Sequence, residues 1–290
     1  MSSYQILTDG AQDLYPELFH STNIRRIPMR TACGGRDFEI GDDTTRDDIL
    51  TFYRLLKEQP AYTSQISPGI YEHYFEQYLE KGLDVLYLCM SGGISMQFHQ
   101  SEVAAKLLQA RYPERTIRCL DTRTCTAGGN LICARAEANQ AAGMDLSENF
   151  DDLESFKAHI GLYGIVTELD HLHRGGRLSS VGALVGNALN IKPFLHMRDD
   201  GVLAIREKVR GAKNATKTLA RTAGEDPDPA HRICYLSHAD NEALCEEVKN
   251  LILEKTEIET VYTGLLNPII GSHLGSGGIS MAVLCAKPVS

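Results

Sequence analysis

Residues 84–93 read DVLYLCM followed by SGG, and this stretch decides the fold. From Val85 to Met90 every side chain is apolar, with no alternation of wet and dry positions. Such a run suits a strand covered on both faces, the condition of a parallel sheet walled by helices. Working outward, Tyr4–Thr8 is a second strand that stops at Asp9, and Ile117–Leu120 a third that stops at Asp121. Ile24–Met29 is a fourth. Between them Thr45–Glu58 carries Ile49, Phe52, Tyr53 and Leu56 at helical spacing. Ser101–Tyr112 pairs Val103 with Leu107 and Ala104 with Leu108 before Pro113 ends it, and an alanine-rich helix runs from Asn130 to Ala142. Strands alternating with helices predict an α/β fold built on βα units. Ligands of such sheets bind beyond the carboxyl ends of the strands, here beside Asp9, Ser91 and Asp121.

An acidic, apolar-poor stretch at 149–153 interrupts the alternation, so the reading divides the chain into an N-terminal lobe, 1–155, and a C-terminal lobe, 156–290. The second half is patterned differently. Gly164–Glu168, Ile233–Leu236, Glu259–Tyr262 and Ile279–Ala286 are strands, and Ser180–Leu189 is an apolar helix or turn. Ile191–Met197 and Val202–Val209 flank Asp199-Asp200-Gly201, a strong hairpin signal, so this lobe carries a mixed or antiparallel sheet. Asn214–Ala223 and Asn241–Lys255 are amphipathic helices, the latter capped by Asn241.

Composition excludes several classes. The 290 residues include 29 Lys and Arg against 38 Asp and Glu, a formal charge of −9 that repels a polyphosphate backbone, so a general nucleic-acid role is not expected. No apolar run approaches the roughly 18 residues that span a bilayer, and the first residues lack a signal-like pattern. The expectation is a cytoplasmic protein that is not integral to a membrane. The eight cysteines form no C-x-x-C pair, and several lie in apolar segments, as reduced buried thiols do. His171 and His173 form an H-x-H pair without a third ligand at a diagnostic spacing, so no metal is expected.

Neither a G-x-x-x-x-G-K-[ST] loop nor a G-x-G-x-x-G opening the first helix is present. What stands out is a set of small hydroxyl-rich turns. Residues 63–69, TSQISPG, offer hydroxyls and backbone N–H groups to an anion, or Ser64 or Ser67 caps the helix that follows. Residues 91–95, SGGIS, repeat that chemistry where glycines let a ligand approach the backbone. Residues 271–278, GSHLGSGG, set a histidine in a glycine-rich loop. Arg174-Gly175-Gly176-Arg177 and Lys208-Val209-Arg210 are basic clusters in an acidic chain, suited to solvent, a phosphate or an acidic partner.

In this order, Thr8-Asp9-Gly10, Thr63-Ser64-Gln65, Ser91 to Ser95, Asp121-Thr122, Leu172 to Leu178 (LHRGGRL), Asn190 to Pro193 (NIKP) and Gly271-Ser272-His273 resemble the successive signatures of the DegV family. The resemblance implies a two-lobed α/β protein that binds one long-chain fatty acid of the palmitate, stearate or oleate type. It also implies a non-catalytic role, as in the bacterial members that serve as the fatty-acid-binding subunit of a fatty acid kinase and work with a separate catalytic subunit. By the same resemblance Thr63, with Ser64 beside it, Ser95 and His273 hydrogen-bond the carboxylate, and the acyl chain runs into an apolar tunnel between or beside the lobes. Arg177, with Arg174 and Arg210, falls in the region implied to dock the kinase. The chain departs from the pattern at Gly10 (usually serine), Ile66 (usually proline), and Met96 and Gln97 (usually glycine and threonine), which bears on the pocket's shape.

Two alternatives remain open at this stage. A serine hydrolase would use Ser95 or Ser64 with His273 and Asp9 or Asp121. A carrier of another anionic lipid, such as an isoprenoid or retinoid acid, would need the same donors. For a fatty acid the head needs donors and the tail supplies affinity, about 0.8 kcal/mol per buried methylene.

Overall fold

The computed structural model describes residues 4–13, 23–167, 170–177 and 191–289. Strand β1 (Tyr4–Asp9) leads to β2 (Arg25–Ile27), and Pro28, which has no N–H to donate, separates β2 from β3 (Met29–Cys33). The sequence reading of Ile24–Met29 as one strand is therefore corrected: the segment breaks at Pro28, and its two pieces enter different sheets. Strand β3 turns through Gly34 and Gly35, at φ of 58° and 74°, into β4 (Arg36–Ile40). Two positive φ values are what a two-residue hairpin of matching twist demands, and glycine meets them without strain.

Helix α1 (Arg46–Leu56) starts at a Thr45/Asp48 capping box and buries Ile49, Phe52, Tyr53 and Leu56. It is followed by β5 (Ala61–Ser64), α2 (Pro68–Leu79), β6 (Asp84–Cys89), α3 (Gln97–Arg111), β7 (Ile117–Asp121) and α4 (Thr126–Ala141). Helices α3 and α4 each begin about four residues earlier than the sequence suggests. Helix α5 (Leu146–Phe156) contains the acidic stretch 149–153, so that stretch is not a break. Leu146, Asn149 and Leu153 face inward at helical spacing, and the acidic residues between them form the solvent side, with Arg135 bonding Asp152 at 2.8 Å.

Beyond it lie β8 (Ile160–Ile165), a short helix α6 (Asp170–Arg174), β9 (Ile191–Met197), β10 (Leu203–Arg210), α7 (Ala212–Ala223), β11 (Ile233–His238), α8 (Glu242–Lys255), β12 (Thr260–Leu265), α9 (Pro268–Leu274) and β13 (Ile279–Leu284). The apolar segment expected at Ser180–Leu189 lies outside the described residues. The GSHLGSGG stretch is not wholly a loop, because its first residues end α9.

Three sheets result. The order β2-β1-β6-β7 is parallel throughout, and β6 is buried along nearly its whole length, as DVLYLC implies. The order β10-β9-β8-β13-β11-β12 is mixed, with only β11 and β12 parallel. A small antiparallel sheet, β4-β3-β5, is the element the sequence reading missed. The fold is thus α/β, with a parallel sheet and a mixed sheet drawn from successive halves of the chain.

The core does not divide with the sheets. One apolar cluster joins Leu7 and Tyr87 of the parallel sheet to Phe38 and Ile40 of the small sheet and to Leu162, Tyr235 and Ala282 of the mixed sheet. Helix α4 lies between the large sheets, packed on β1 and on β8, β11 and β13. Its close approach requires glycine: a Cβ on Gly129 would fall 1.5 Å from Oε1 of Gln12.

Candidate functional site

Three of the parallel strands lead into the polar residues expected to face a ligand, but all three of those residues are committed to the backbone. Asp9 accepts from Ala11 N–H at 3.0 Å, Met90 N–H at 2.9 Å and the Tyr87 hydroxyl at 3.1 Å. Burial raises its pKa, and these bonds offset part of that rise. Asp121 accepts from Gly92 and Arg123 N–H groups at 3.0 and 2.9 Å. Ser91 donates at 2.7 Å to the carbonyl of Gly201, in the β9–β10 hairpin, and so ties the two halves together. These residues shape turns, and Ser95, at the far end of the SGGIS turn, is left facing a cavity.

That cavity, about 270 Å³, sits where the three sheets meet. It far exceeds the roughly 10–15 Å³ that one water needs. One wall is aliphatic: Leu172, Leu195, Leu203 and Leu274 pack there, with Leu162 and Ile270 beside them. The rest of the lining includes polar side chains from distant parts of the chain.

Strand β5 supplies Thr63. Its alternating burial turns Thr63 inward and leaves Ser64 exposed at the rim, where Ser64 also borders an outer groove. Helix α9 supplies His273. Asn267 caps that helix by accepting from Ile270 N–H at 2.9 Å, while its Nδ2 donates to Ala11 O and to Asp13 at 2.7 and 2.8 Å. Ser272 meets Thr31 of β3 at 2.8 Å, and His273 Nε2 meets Thr63 Oγ1 at 3.1 Å. Gly271 permits this seating, since a Cβ there would lie 2.3 Å from the Tyr53 hydroxyl.

The His273 ring is neutral near pH 7. Burial pushes its pKa down to about 4, and Arg177 and His171 act in the same direction. Its Nδ1 is buried without a hydrogen-bond partner among the described residues and faces Gly175, where a Cβ would stand 2.3 Å away. A proton on Nε2 leaves Nδ1 an acceptor without a donor instead of a stranded N–H, which is the costlier defect. In that tautomer His273 donates to Thr63, and the Thr63 hydroxyl proton is free for the cavity.

Arg177, expected in the docking region, is half-buried and lines the cavity. Its Nε donates to Ile94 O at 3.3 Å and its Nη1 to Gly175 O at 2.6 Å. Several bonds tie these polar residues to the cavity wall. Thr63 bonds His273, Arg177 stands near His273 and bonds Ile94, Ser95 accepts from Gln97 N–H at 3.3 Å, and Gln97 Oε1 accepts from Ile66 N–H at 3.1 Å, three residues past Thr63. Arg174 and Arg210 do not join them. Both are exposed, Arg174 against His171 Nδ1 at 3.3 Å.

Sequence reasoning missed Gln97, Thr126 and Ser280, which also line the cavity. Thr126 meets Ser280 at 2.9 Å and holds φ at 50°, an unusual value for a β-branched residue. Nothing in the local sequence marks that strain. The departure at Gly10 has a steric reason, because a Cβ there would be 2.1 Å from Ile40 O.

A Ser-His-Asp relay is not assembled among the described residues. His273 bonds Thr63 and no serine, neither Asp9 nor Asp121 bonds it, and the charges acting on it are cationic. Hydroxyl donors, an imidazole and a guanidinium beside an aliphatic chamber suit a ligand with one acidic end and an apolar remainder.

A family model described as "Uncharacterised protein, DegV family" matches residues 3–285. A DegV domain-containing protein of Clostridium perfringens is 30% identical over 290 residues, with 98% of each chain covered. Among solved structures, a DegV family protein from Ruminococcus gnavus, described with vaccenic acid, matches with a TM-score of 0.86 at 23% identity, covering 97% of this chain and 99% of that one. A Streptococcus pneumoniae Fatty Acid Kinase B3 protein loaded with linoleic acid matches with a TM-score of 0.79 at 17% identity, covering 98% and 99%. With a family match that spans nearly its whole length and a shared architecture, the chain belongs to the DegV family.

Proposed function

We propose that this protein binds one long-chain fatty acid and presents its carboxylate to a separate kinase. One observation carries the reading: a single cavity is lined both by Thr63, Ser95, His273 and Arg177 and by aliphatic side chains. Thr63 and Ser95 donate to the carboxylate, His273 sets the Thr63 hydroxyl from behind, and Arg177 supplies positive charge without a direct ion pair being required. Affinity comes from the tail. At about 0.8 kcal/mol per methylene, a sixteen-carbon chain contributes on the order of 10 kcal/mol before ordering costs.

The kinase step would move the γ-phosphoryl group of ATP onto a carboxylate oxygen, giving an acyl phosphate and ADP. Support for it is the likeness to the pneumococcal kinase B3 protein. Arg174, Arg177 and Arg210 remain the docking candidates, and Arg177 also lines the cavity. We place the protein in the cytoplasm, because all eight cysteines are free thiols and seven of them are buried. No described helix is long and apolar enough to cross a membrane. The lobe division near residue 155 is retained as a description of sheet membership.

Native mass spectrometry of the purified protein is expected to reveal a bound long-chain acid. Delipidated protein is expected to gain thermal stability with oleate or palmitate, and the gain is expected to shrink sharply in Thr63→Val. An isoprenoid or retinoid acid in the spectrum would favour the other anionic-lipid reading. No ligand and no stabilisation by any fatty acid would refute the proposal.

A further inference from the structure

Gln97, the first residue of α3, is 1% exposed yet lines the cavity. Its Oε1 accepts twice, from Ile66 N–H at 3.1 Å and from the Tyr71 hydroxyl at 3.0 Å. A backbone N–H can only donate, so the oxygen end of the amide is settled and the NH₂ end points away from Ile66. Tyr71 is itself held, meeting the Tyr87 hydroxyl at 3.0 Å, and Tyr87 donates to Asp9 at 3.1 Å. All four side chains in this chain are buried. Gln97 Nε2 therefore has no partner among the described residues, and it is not wholly closed off from the cavity that this residue lines.

A donor whose open side is the cavity gains a hydrogen bond when something outside the protein accepts from it. The neighbouring group is already a donor site: Ser95 Oγ accepts from Gln97 N–H, so the serine proton is also free. Lone pairs are what this corner lacks. An amide or alcohol head offers fewer of them than a carboxylate and brings protons of its own.

Given the fatty-acid reading above, we infer that Gln97 Nε2 donates to the ligand's carboxylate and that Ile66 and Tyr71 lock it in the donating orientation. Gln97 is then a specificity-determining residue that favours an acid over a neutral head. Ile66 has a defined part in this, because a residue at 66 without an N–H would release the amide to turn.

The experiment is a titration of the delipidated full chain with oleate and with oleamide, for wild type, Gln97→Leu and Gln97→Glu. Wild type is expected to prefer oleate, and Gln97→Leu to lose about tenfold in oleate affinity with little change for oleamide. Gln97→Glu keeps an oxygen for Ile66 and Tyr71, so the local structure survives while the donor becomes an acceptor. It is expected to lose more than about tenfold for oleate and to bind oleamide more tightly than oleate. Oleate binding by wild type together with unchanged oleate affinity in both variants, each with a native circular dichroism spectrum, overturns the role of Gln97 alone. Failure of wild type to bind oleate at all overturns the fatty-acid reading, and this inference with it.

Discussion

Gly175 has no side chain because the His273 ring occupies the space. A Cβ there would sit 2.3 Å from Nδ1, and that atom belongs to a ring packed between Thr63 and the 171–177 segment. Gly175→Ala is expected to push the imidazole off Thr63. Thr63 then loses the orientation in which its hydroxyl donates to the carboxylate, a bond to a charged group worth about 1.5–3 kcal/mol, so oleate affinity should fall by roughly tenfold or more. Thermal unfolding should change little by comparison, since Gly175 is half-buried and at an element's end. Equal affinity in the variant and wild type, measured by fluorescence displacement, would show that the ring's position does not matter to the ligand.

Helix α9 has seven residues, too few to persist by propensity, so its position depends on side-chain bonds at its start and along one face. Asn267 supplies the cap and two further buried bonds, whereas Thr45 at α1 is an exposed cap. Asn267→Ala is expected to cost about 3 kcal/mol, combining a lost cap with two lost buried hydrogen bonds, while Ala11 O keeps Thr126 N–H and Asp13 keeps the backbone N–H of residue 267, and to weaken oleate binding through His273. Thr45→Ala should cost about 1 kcal/mol and leave binding unaltered. Urea denaturation and oleate titration of the pair separate a general loss of stability from a loss of position. The same reasoning explains why β5 escaped detection. Ala61–Ser64 has no apolar alternation strong enough to announce a strand, and it exists because β3 offers its edge and Thr31 stands opposite Thr63.

At the scale of the whole molecule, Asp13 joins the halves. It accepts from Asn267 N–H at 2.9 Å and from the hydroxyl of Ser237 on β11, and it lies just past β1. Burial raises its pKa from 3.8 to about 7, against the lowering effect of those bonds. The folded protein therefore holds this proton more tightly than the unfolded chain. Its contribution to stability is complete below about pH 4, is lost as pH rises to about 7, and is level above that, about 4 kcal/mol in all. His273 runs the opposite way. Lowered from 6.5 to about 4, it contributes fully above pH 6.5 and loses about 3 kcal/mol as pH falls to about 4. The two nearly cancel in wild type. The difference in unfolding free energy between wild type and Asp13→Asn isolates Asp13, and it should move against wild type by several kcal/mol from pH 4 to 8. A flat difference would mean that Asp13 ionises in the folded protein as it does in water.

What the chain announces locally is what local physics controls. The apolar run at 84–90, the stripe of α1, the Asp199-Asp200-Gly201 hairpin and the Asn241 cap each depend on residues a few positions apart, and each lies where the pattern puts it, whereas Leu107 of the stripe expected in α3 is 50% exposed. The ordered motifs also mark Thr63, Ser95 and His273, which line one cavity. Long-range pairing carries no such signature. Thr63 meets His273 across 210 positions, Ser91 meets Gly201 across 110, and Pro28 sends neighbouring strands to different sheets. The place of Arg177 in the cavity wall and the free amide of Gln97 are likewise settled only when distant segments pack. A side chain's neighbours in space, not those in sequence, decide whether its polar atoms are satisfied or left for a ligand.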